Sequence, residues 1–191
     1  KIGNYFDKAQ EFNRAIPYLD SALLIRKSTF GEENPLVADV YNNLGSVYLN
    51  IGDFDRALEY HLQAYQIRKS YSGSNAKFVG QSLNNMGLCH HDAGEFDSAM
   101  SSFKEALEIY SKGGRATTHQ IAEVHLNMGN IWSDRLEFLE AKNSYEDALL
   151  FERSRMNPDP LMLASCYNNL GTISAGQGEL SKAFSFYNQA L

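Results

Sequence analysis

The amino-acid sequence predicts an all-α fold, a solenoid of stacked antiparallel helix hairpins. Three observations lead to this prediction. Short phrases recur at a fixed interval, as in repeat proteins, and apolar residues recur every three or four positions within each interval, as in amphipathic helices. Neither the alternating apolar runs of strands nor the Asn-Gly and Asp-Gly turns of β-hairpins occur in the sequence.

The repeat interval is 42 residues. The phrase YNNLG stands at 41–45 and at 167–171, and its variants LNNMG and HLNMG stand at 83–87 and 125–129. One further step back from Gly45 reaches Gly3. Four other columns keep the same step: Ala15, Ala57, Ala99, Ala141 and Ala183; Ala22, Ala64, Ala106, Ala148 and Ala190; Ile2, Leu44, Met86, Met128 and Leu170; Phe12, Phe54, Phe96, Phe138 and Leu180.

This register predicts one continuous array over residues 1–191, with no linker and no domain boundary. The expected repeats are 1–33 (partial), 34–75, 76–117, 118–159 and 160–191 (partial). Gly3 falls mid-way through a first helix, so the first repeat is expected to lack its opening turns. Leu191 falls inside a second helix.

Each repeat is expected to contain a first and a second helix. In the second repeat, apolar residues over 36–51 follow the helical period. Gly52 then ends the first helix, because glycine tolerates the left-handed backbone, and Asp53 begins the second as a preferred N-cap residue. The second helix is expected to end near residues 70–73. Two positions depart from the pattern: Leu136 replaces a turn glycine, and His61 replaces a large apolar residue.

The mid-helix glycines require a physical reason. Glycine within a helix costs about 1 kcal/mol relative to alanine, and this cost recurs at Gly45 and at its equivalents. We expect the backbones of the two helices to approach closely there, with Ala57 and Ala64 completing the contact. Because one hairpin cannot bury its own apolar faces, stability is expected to come from stacked neighbours.

Composition excludes several classes of function. The formal net charge of −6 argues against a general nucleic-acid or anionic-membrane binder, and no apolar run approaches the roughly 18 residues of a membrane span. The two cysteines show no framework spacing, which favours packed free thiols in a reducing compartment, the cytoplasm. We expect no enzyme, no cofactor and no metal: no catalytic constellation is evident, and Cys89, His90 and His91 are consecutive, so on a helix they point about 100° apart.

The repeat resembles the tetratricopeptide repeat, in a 42-residue form similar to that of kinesin light chains. The signature is present as Tyr41-x-x-Leu44-Gly45-x-x-Tyr48, followed by Ala57 and Ala64; the usual repeat is about 34 residues long. The resemblance implies a right-handed superhelix whose first helices line a concave groove. It also implies a non-catalytic scaffold that binds a peptide segment of a partner protein in that groove.

Asparagines on the first helices form the candidate site. One column comprises Asn43, Asn85, Asn127 and Asn169, and the column before it comprises Asn42, Asn84 and Asn168, with Leu126 as the exception. Asparagine is unfavourable inside helices, and its amide both donates and accepts hydrogen bonds. The resemblance implies that these amides bind the backbone of an extended peptide. A structural role, in which each amide bonds the neighbouring helix, remains open and is compatible with the first.

The asparagine columns and the columns that flank them form one predicted surface, which we call the asparagine face. The flanking residues indicate the chemistry of the partner. The flanking columns are Asp39, Gln81, Glu123 and Ser165; Ser46, Leu88, Asn130 and Thr172; Leu49, His91, Ser133 and Ala175. Asn130 and His91 join the candidate site. Lys and Arg, which a carboxylate clamp would need, are missing from these columns, so we expect a neutral or mildly basic, partly apolar protein segment. Arg26 and Arg68 are instead expected to complement helix C-termini.

Two alternatives remain open. The array could be the regulatory or sensor region of a larger signalling protein that controls an attached or partner effector domain. It could also self-associate through its end helices.

Overall fold

The computed structural model describes the backbone of residues 2–71 and 76–191 and the side chains of 11–71, 76–114 and 117–191. All regular structure in these ranges is helical, which confirms the predicted all-α class. The helices are α1 (Ile2–Phe30), α2 (Pro35–Ile51), α3 (Phe54–Ser70), α4 (Ala76–Asp92), α5 (Phe96–Ser111), α6 (Thr118–Asp134), α7 (Phe138–Arg153), α8 (Pro160–Gly176) and α9 (Leu180–Ala190), with a 3₁₀ turn at Gly114–Thr117. No helix within the described ranges is both long enough and apolar enough to cross a bilayer.

The chain divides into two compact units, unit 1 over residues 1–106 and unit 2 over residues 107–191. In unit 1, α2 packs against α1 and α3, and α3 packs against α4. In unit 2, α7 packs against α6 and α8, and α8 packs against α9. The first helices of the predicted repeats are therefore α2, α4, α6 and α8, and each second helix follows its first helix as predicted.

Helix α1 differs from the predicted opening of the array. The register predicts the remainder of a first helix, a turn and a second helix, but α1 is continuous from Ile2 to Phe30. Gln10 and Glu11 occupy the turn positions that hold Gly52 and Asp53 in the next repeat. The helix therefore meets neither a glycine suited to positive φ nor an aspartate N-cap, and it continues.

Some sequence predictions fall outside the described residues. The side chain of Ile2, the first member of its apolar column, is one of them, and the surroundings of Gly3 are another. Ser72 and Gly73, at the expected end of the second helix, are also outside; α3 itself ends at Ser70.

The turns between first and second helices share one left-handed residue. Gly52, Gly94 and Gly178 have φ of 87°, 79° and 79°, and Leu136 adopts the same conformation with φ of 62°. A side chain in this region strains the backbone by about 1–2 kcal/mol, and the Leu136 side chain is 71% exposed. The predicted cap is confirmed at Asp53, whose carboxylate accepts a hydrogen bond from the Arg56 backbone N–H at 3.1 Å.

Close approach at the mid-helix glycines is confirmed, but an aromatic ring rather than a helix backbone makes it. A Cβ on Gly87 would lie 2.5 Å from the Phe103 ring, and one on Gly129 would lie 2.5 Å from the Tyr145 ring. His61 and Tyr187 stand in the same relation to Gly45 and Gly171, at 2.7 Å. The expectation of backbone against backbone was therefore wrong: the glycine makes room for a six- or five-membered ring from the second helix.

The cysteines pack as small apolar groups, as predicted. Cys89 and Cys166 are buried free thiols. Burial raises the pKa of each thiol to about 12, so both remain protonated at neutral pH.

Candidate functional site

The predicted asparagines lie on the first helices and differ in exposure. Asn43 and Asn168 are exposed, whereas Asn84 is only 2% exposed and cannot be reached by a ligand without movement of its surroundings. The others are half-buried: Asn42, Asn85, Asn127, Asn130 and Asn169. Exposure thus differs within a column as well as between columns, since Asn84 is buried whereas Asn168 of the same column is exposed.

Amide-to-amide hydrogen bonds connect consecutive first helices within each unit. In unit 1, Asn85 on α4 donates its side-chain N–H to Oδ1 of Asn42 on α2 at 2.9 Å. In unit 2, Asn169 on α8 donates to Oδ1 of Asn130 on α6 at 3.2 Å. The structural role that the sequence left open is therefore present. Because an amide has two N–H donors and two lone pairs, one such bond leaves hydrogen-bonding capacity for a ligand.

A hydroxyl from the second helix adds to the pair in unit 2. Tyr145 on α7 donates its phenolic O–H to Oδ1 of Asn130 at 2.9 Å, and its ring covers Gly129. The tyrosine is 2% exposed. Sequence reasoning assigned Tyr145 to the repeat signature alone and missed this bond. The signal that could have indicated it is the column of ring residues 15 positions after Ser46, Leu88, Asn130 and Thr172.

His91 lies at the C-terminal end of α4, where the chain turns toward α5. Its Nδ1 is 3.5 Å from Oδ1 of Asp92, and its ring lies 5.9 Å from the ring centroid of Phe96. The adjacent His90 instead places its Nδ1 2.7 Å from Oε2 of Glu95. The consecutive side chains therefore face different partners, as their helical spacing predicts.

The arginines near the ends of α1 and α3 connect repeats, and Arg68 also lies in the last turn of α3, as expected for a residue that complements the helix C-terminus. Arg26 donates to the carbonyl of Leu36 at 2.5 Å. Arg68, one repeat later, donates to the carbonyl of Phe78 at 3.2 Å. Each guanidinium thus holds the first turn of the next first helix. Each arginine side chain is long enough to extend past the C-terminus of its own helix and reach the next helix.

Arg68 also forms an ion pair with Asp39, a carboxylate on the asparagine face. Its guanidinium, 6% exposed, lies 2.9 Å from Oδ1 of Asp39 and donates to the Ser82 hydroxyl at 2.9 Å. Asp39 is 48% exposed. The Asp39 charge is therefore balanced from the protein side while one edge of the carboxylate remains open to solvent.

The position of unit 2 that is equivalent to Arg68 carries a buried carboxylate that sequence reasoning also missed. Glu152 has no exposed surface and accepts hydrogen bonds from the Asp159 backbone N–H at 2.6 Å, from His119 at 2.9 Å and from Arg155. Burial by itself raises the pKa of Glu152, but these hydrogen bonds outweigh it and the pKa is lowered. The ionised carboxylate thus fastens the α7–α8 loop to α6.

The sequence matches models of one protein family. A tetratricopeptide repeat model matches residues 2–70 and 39–112, and a second tetratricopeptide repeat model matches residues 163–191. No curated protein of similar sequence was found.

Several solved structures share the fold. BtubC (BKLC) from P. vanneervenii is 24% identical, with 96% of this chain and 73% of that chain covered and a TM-score of 0.79. A set of nearly identical kinesin-light-chain TPR-like repeats from Podosopora anserina is 15% identical, with 98% and 90% covered and a TM-score of 0.71. MamA is 16% identical, with 100% and 92% covered and a TM-score of 0.62. At these identities the likeness concerns the fold, and it confirms a helical-repeat solenoid.

Proposed function

Since the chain belongs to the tetratricopeptide repeat family, whose fold serves as a protein–protein interaction scaffold, we propose that its asparagine face binds an extended peptide segment of a partner protein. The scaffold is non-catalytic in this proposal. Binding uses hydrogen bonds from side-chain amides to the peptide backbone, together with burial of apolar side chains of the peptide.

The amide pairs carry this proposal. Asn85 reaches Asn42, and Asn169 reaches Asn130, across neighbouring first helices. The asparagine columns of consecutive repeats are therefore adjacent in space within each unit, and not merely aligned in the sequence. A row of adjacent amides can pair with the C=O and N–H groups of an extended chain, whose backbone offers one of each per residue.

The charges of the asparagine face favour a neutral or mildly basic segment. Its columns contain the carboxylates of Asp39 and Glu123 and neither Lys nor Arg. Arg68 approaches from the interior and is already bonded to Asp39. An acidic peptide would meet no free cation on these columns, whereas a Lys or Arg of the peptide would be attracted over a Debye length of about 8 Å at physiological salt.

A double substitution on the asparagine face tests the proposal. Short peptides are selected from a random display library on the wild-type chain, and the best binder is measured by fluorescence anisotropy. Asn85→Ala combined with Asn127→Ala is expected to abolish binding. Because a hydrogen bond of this kind contributes about 1 kcal/mol, the melting temperature should fall by only a few degrees.

Asn157→Ala is the matched control. Asn157 is an exposed amide in the α7–α8 loop, outside the columns of the asparagine face, so its loss should leave both affinity and melting temperature unchanged. A collapse of the melting transition in the double variant would show that the amides are structural and would remove them from the site. Rising salt should weaken a basic peptide and not a neutral one.

A further inference from the structure

We propose, on the basis of the peptide-binding function above, that Tyr145 is a positioning residue for the asparagine face of unit 2. Its hydroxyl orients the amide of Asn130 so that the two N–H groups of that amide point outward, toward main-chain carbonyl groups of a bound peptide. Tyr145 need not touch the peptide itself.

The hydrogen bonds at Asn130 determine how its amide is turned. Oδ1 of Asn130 accepts from the Tyr145 hydroxyl at 2.9 Å and from the Asn169 amide at 3.2 Å. A carbonyl oxygen has two lone pairs, so both are used by the protein. Because the oxygen and nitrogen of an amide point in different directions from Cγ, an oxygen held toward Tyr145 turns the NH₂ group away from the phenol.

Tyr145 is suited to hold this orientation. It is 2% exposed, and its ring is confined against Gly129, where a Cβ would lie at 2.5 Å. Ser133, one turn along α6 from Asn130, forms a further hydrogen bond with the phenol, while burial raises the phenol pKa to about 12. The hydroxyl therefore stays protonated and remains a donor at neutral pH.

The other repeats show that the hydroxyl is not required for packing. Phe103 makes the same contact with Gly87, also at 2.5 Å from a Cβ, and Phe103 is fully buried. A ring without a hydroxyl thus fills this position. The Tyr145 hydroxyl adds a polar contact whose acceptor lies on the asparagine face.

The ring residue of a repeat is polar where the asparagine-face residue 15 positions before it is polar, and apolar where that residue is apolar. The ring residue and the asparagine-face residue 15 positions earlier form these pairs: Leu88 with Phe103, Asn130 with Tyr145, Thr172 with Tyr187, and Ser46 with His61. The apolar ring accompanies an apolar residue, and the Tyr187 hydroxyl lies 3.4 Å from the Thr172 hydroxyl. Both tyrosines thus reach the polar residue of their own repeat, whereas the His61 nitrogens have no hydrogen-bond partner.

Tyr145→Phe tests the proposal with the selected peptide as the probe. The ring and its contact with Gly129 remain, and one hydrogen bond to Asn130 is lost. Peptide affinity measured by fluorescence anisotropy should fall about three- to tenfold, while the melting temperature changes little. His61→Phe, at the same position of unit 1, removes no hydrogen bond and should leave the affinity unchanged.

A double-mutant cycle separates positioning from general stabilisation. If Tyr145 acts through Asn130, then Tyr145→Phe should have no further effect on affinity once Asn130→Ala is present. Additive losses would overturn the proposal. Unchanged affinity of the Tyr145→Phe chain would also overturn the proposal, provided that the double variant Asn85→Ala with Asn127→Ala loses the peptide. Peptide binding itself would then stand. If the wild-type chain selects no peptide, the binding function and this role of Tyr145 both fail.

Discussion

The imidazole of His61 on α3 packs directly over Gly45 on α2, so that a Cβ on this glycine would lie 2.7 Å from the ring. The ring is fully buried, and neither of its nitrogens has a hydrogen-bond partner. The equivalent contact at Gly87 is made by Phe103. A ring therefore packs on the mid-helix glycine in both repeats, and in the first of them that ring is polar and its nitrogens are unpaired.

His61→Phe should stabilise the chain. A buried polar group without a partner costs about 1–3 kcal/mol, and phenylalanine is already accommodated at the equivalent position of the next repeat. We expect the free energy of unfolding, measured by urea denaturation, to rise by about 1–2 kcal/mol. The Phe103→His exchange should act in the opposite direction, and a less stable His61→Phe chain would mean that the imidazole has a partner in solution.

Stability should fall on acidification in a window that His61 defines. Burial, with a smaller contribution from the Arg68 charge, lowers the pKa of His61 from 6.5 to about 4. Between these values the unfolded chain binds a proton that the folded chain does not, so stability is complete above pH 6.5 and declines as pH falls toward 4. The total loss is roughly 3 kcal/mol.

Urea denaturation at a series of pH values checks this window. The His61→Phe chain should lose most of the slope between pH 6.5 and 4; the slope that remains is assigned to His125, whose pKa is also lowered by burial. Glu152, whose pKa is lowered, contributes stability that is lost only as pH falls below its ordinary value of 4.5, so that part of the acid transition should persist. An identical slope in both chains would contradict the assignment to His61.

Gly87→Ala should destabilise the chain despite the better helix propensity of alanine. The added Cβ would lie 2.5 Å from the fully buried Phe103 ring, and such overpacking costs about 1–3 kcal/mol, more than the propensity gain of about 1 kcal/mol. Gly176→Ala, near the end of α8, is the control, because nothing lies within 4 Å of its added Cβ. Thermal melting should therefore shift down for the first variant and slightly up for the second.

Leu136→Gly should raise stability by about 1 kcal/mol, since glycine relieves the strain of the positive φ at this turn. The side chain is 71% exposed, so little apolar burial is lost. Differential scanning calorimetry of the variant, alongside Gly94→Leu at the equivalent turn, should show changes of opposite sign. Equal destabilisation by both would indicate that Leu136 makes a contact that outweighs its backbone strain.

The sequence determined the hairpins and the columns, because both depend on local spacing. The helical period of the apolar residues, the turn residues at Gly52 and Asp53, and the 42-residue interval act within one or two helices, where propensity and pattern suffice. The asparagine columns were visible for the same reason.

Tertiary structure decided which neighbours those residues meet. Asn84 is buried while Asn43 is exposed, because the rotation of each helix is set by the helices packed on it. The mid-helix glycines accommodate rings, Arg68 reaches the next repeat, and α1 continues through the expected turn. These outcomes depend on side-chain reach and on contacts between residues far apart in the chain, whose partners periodicity alone does not specify.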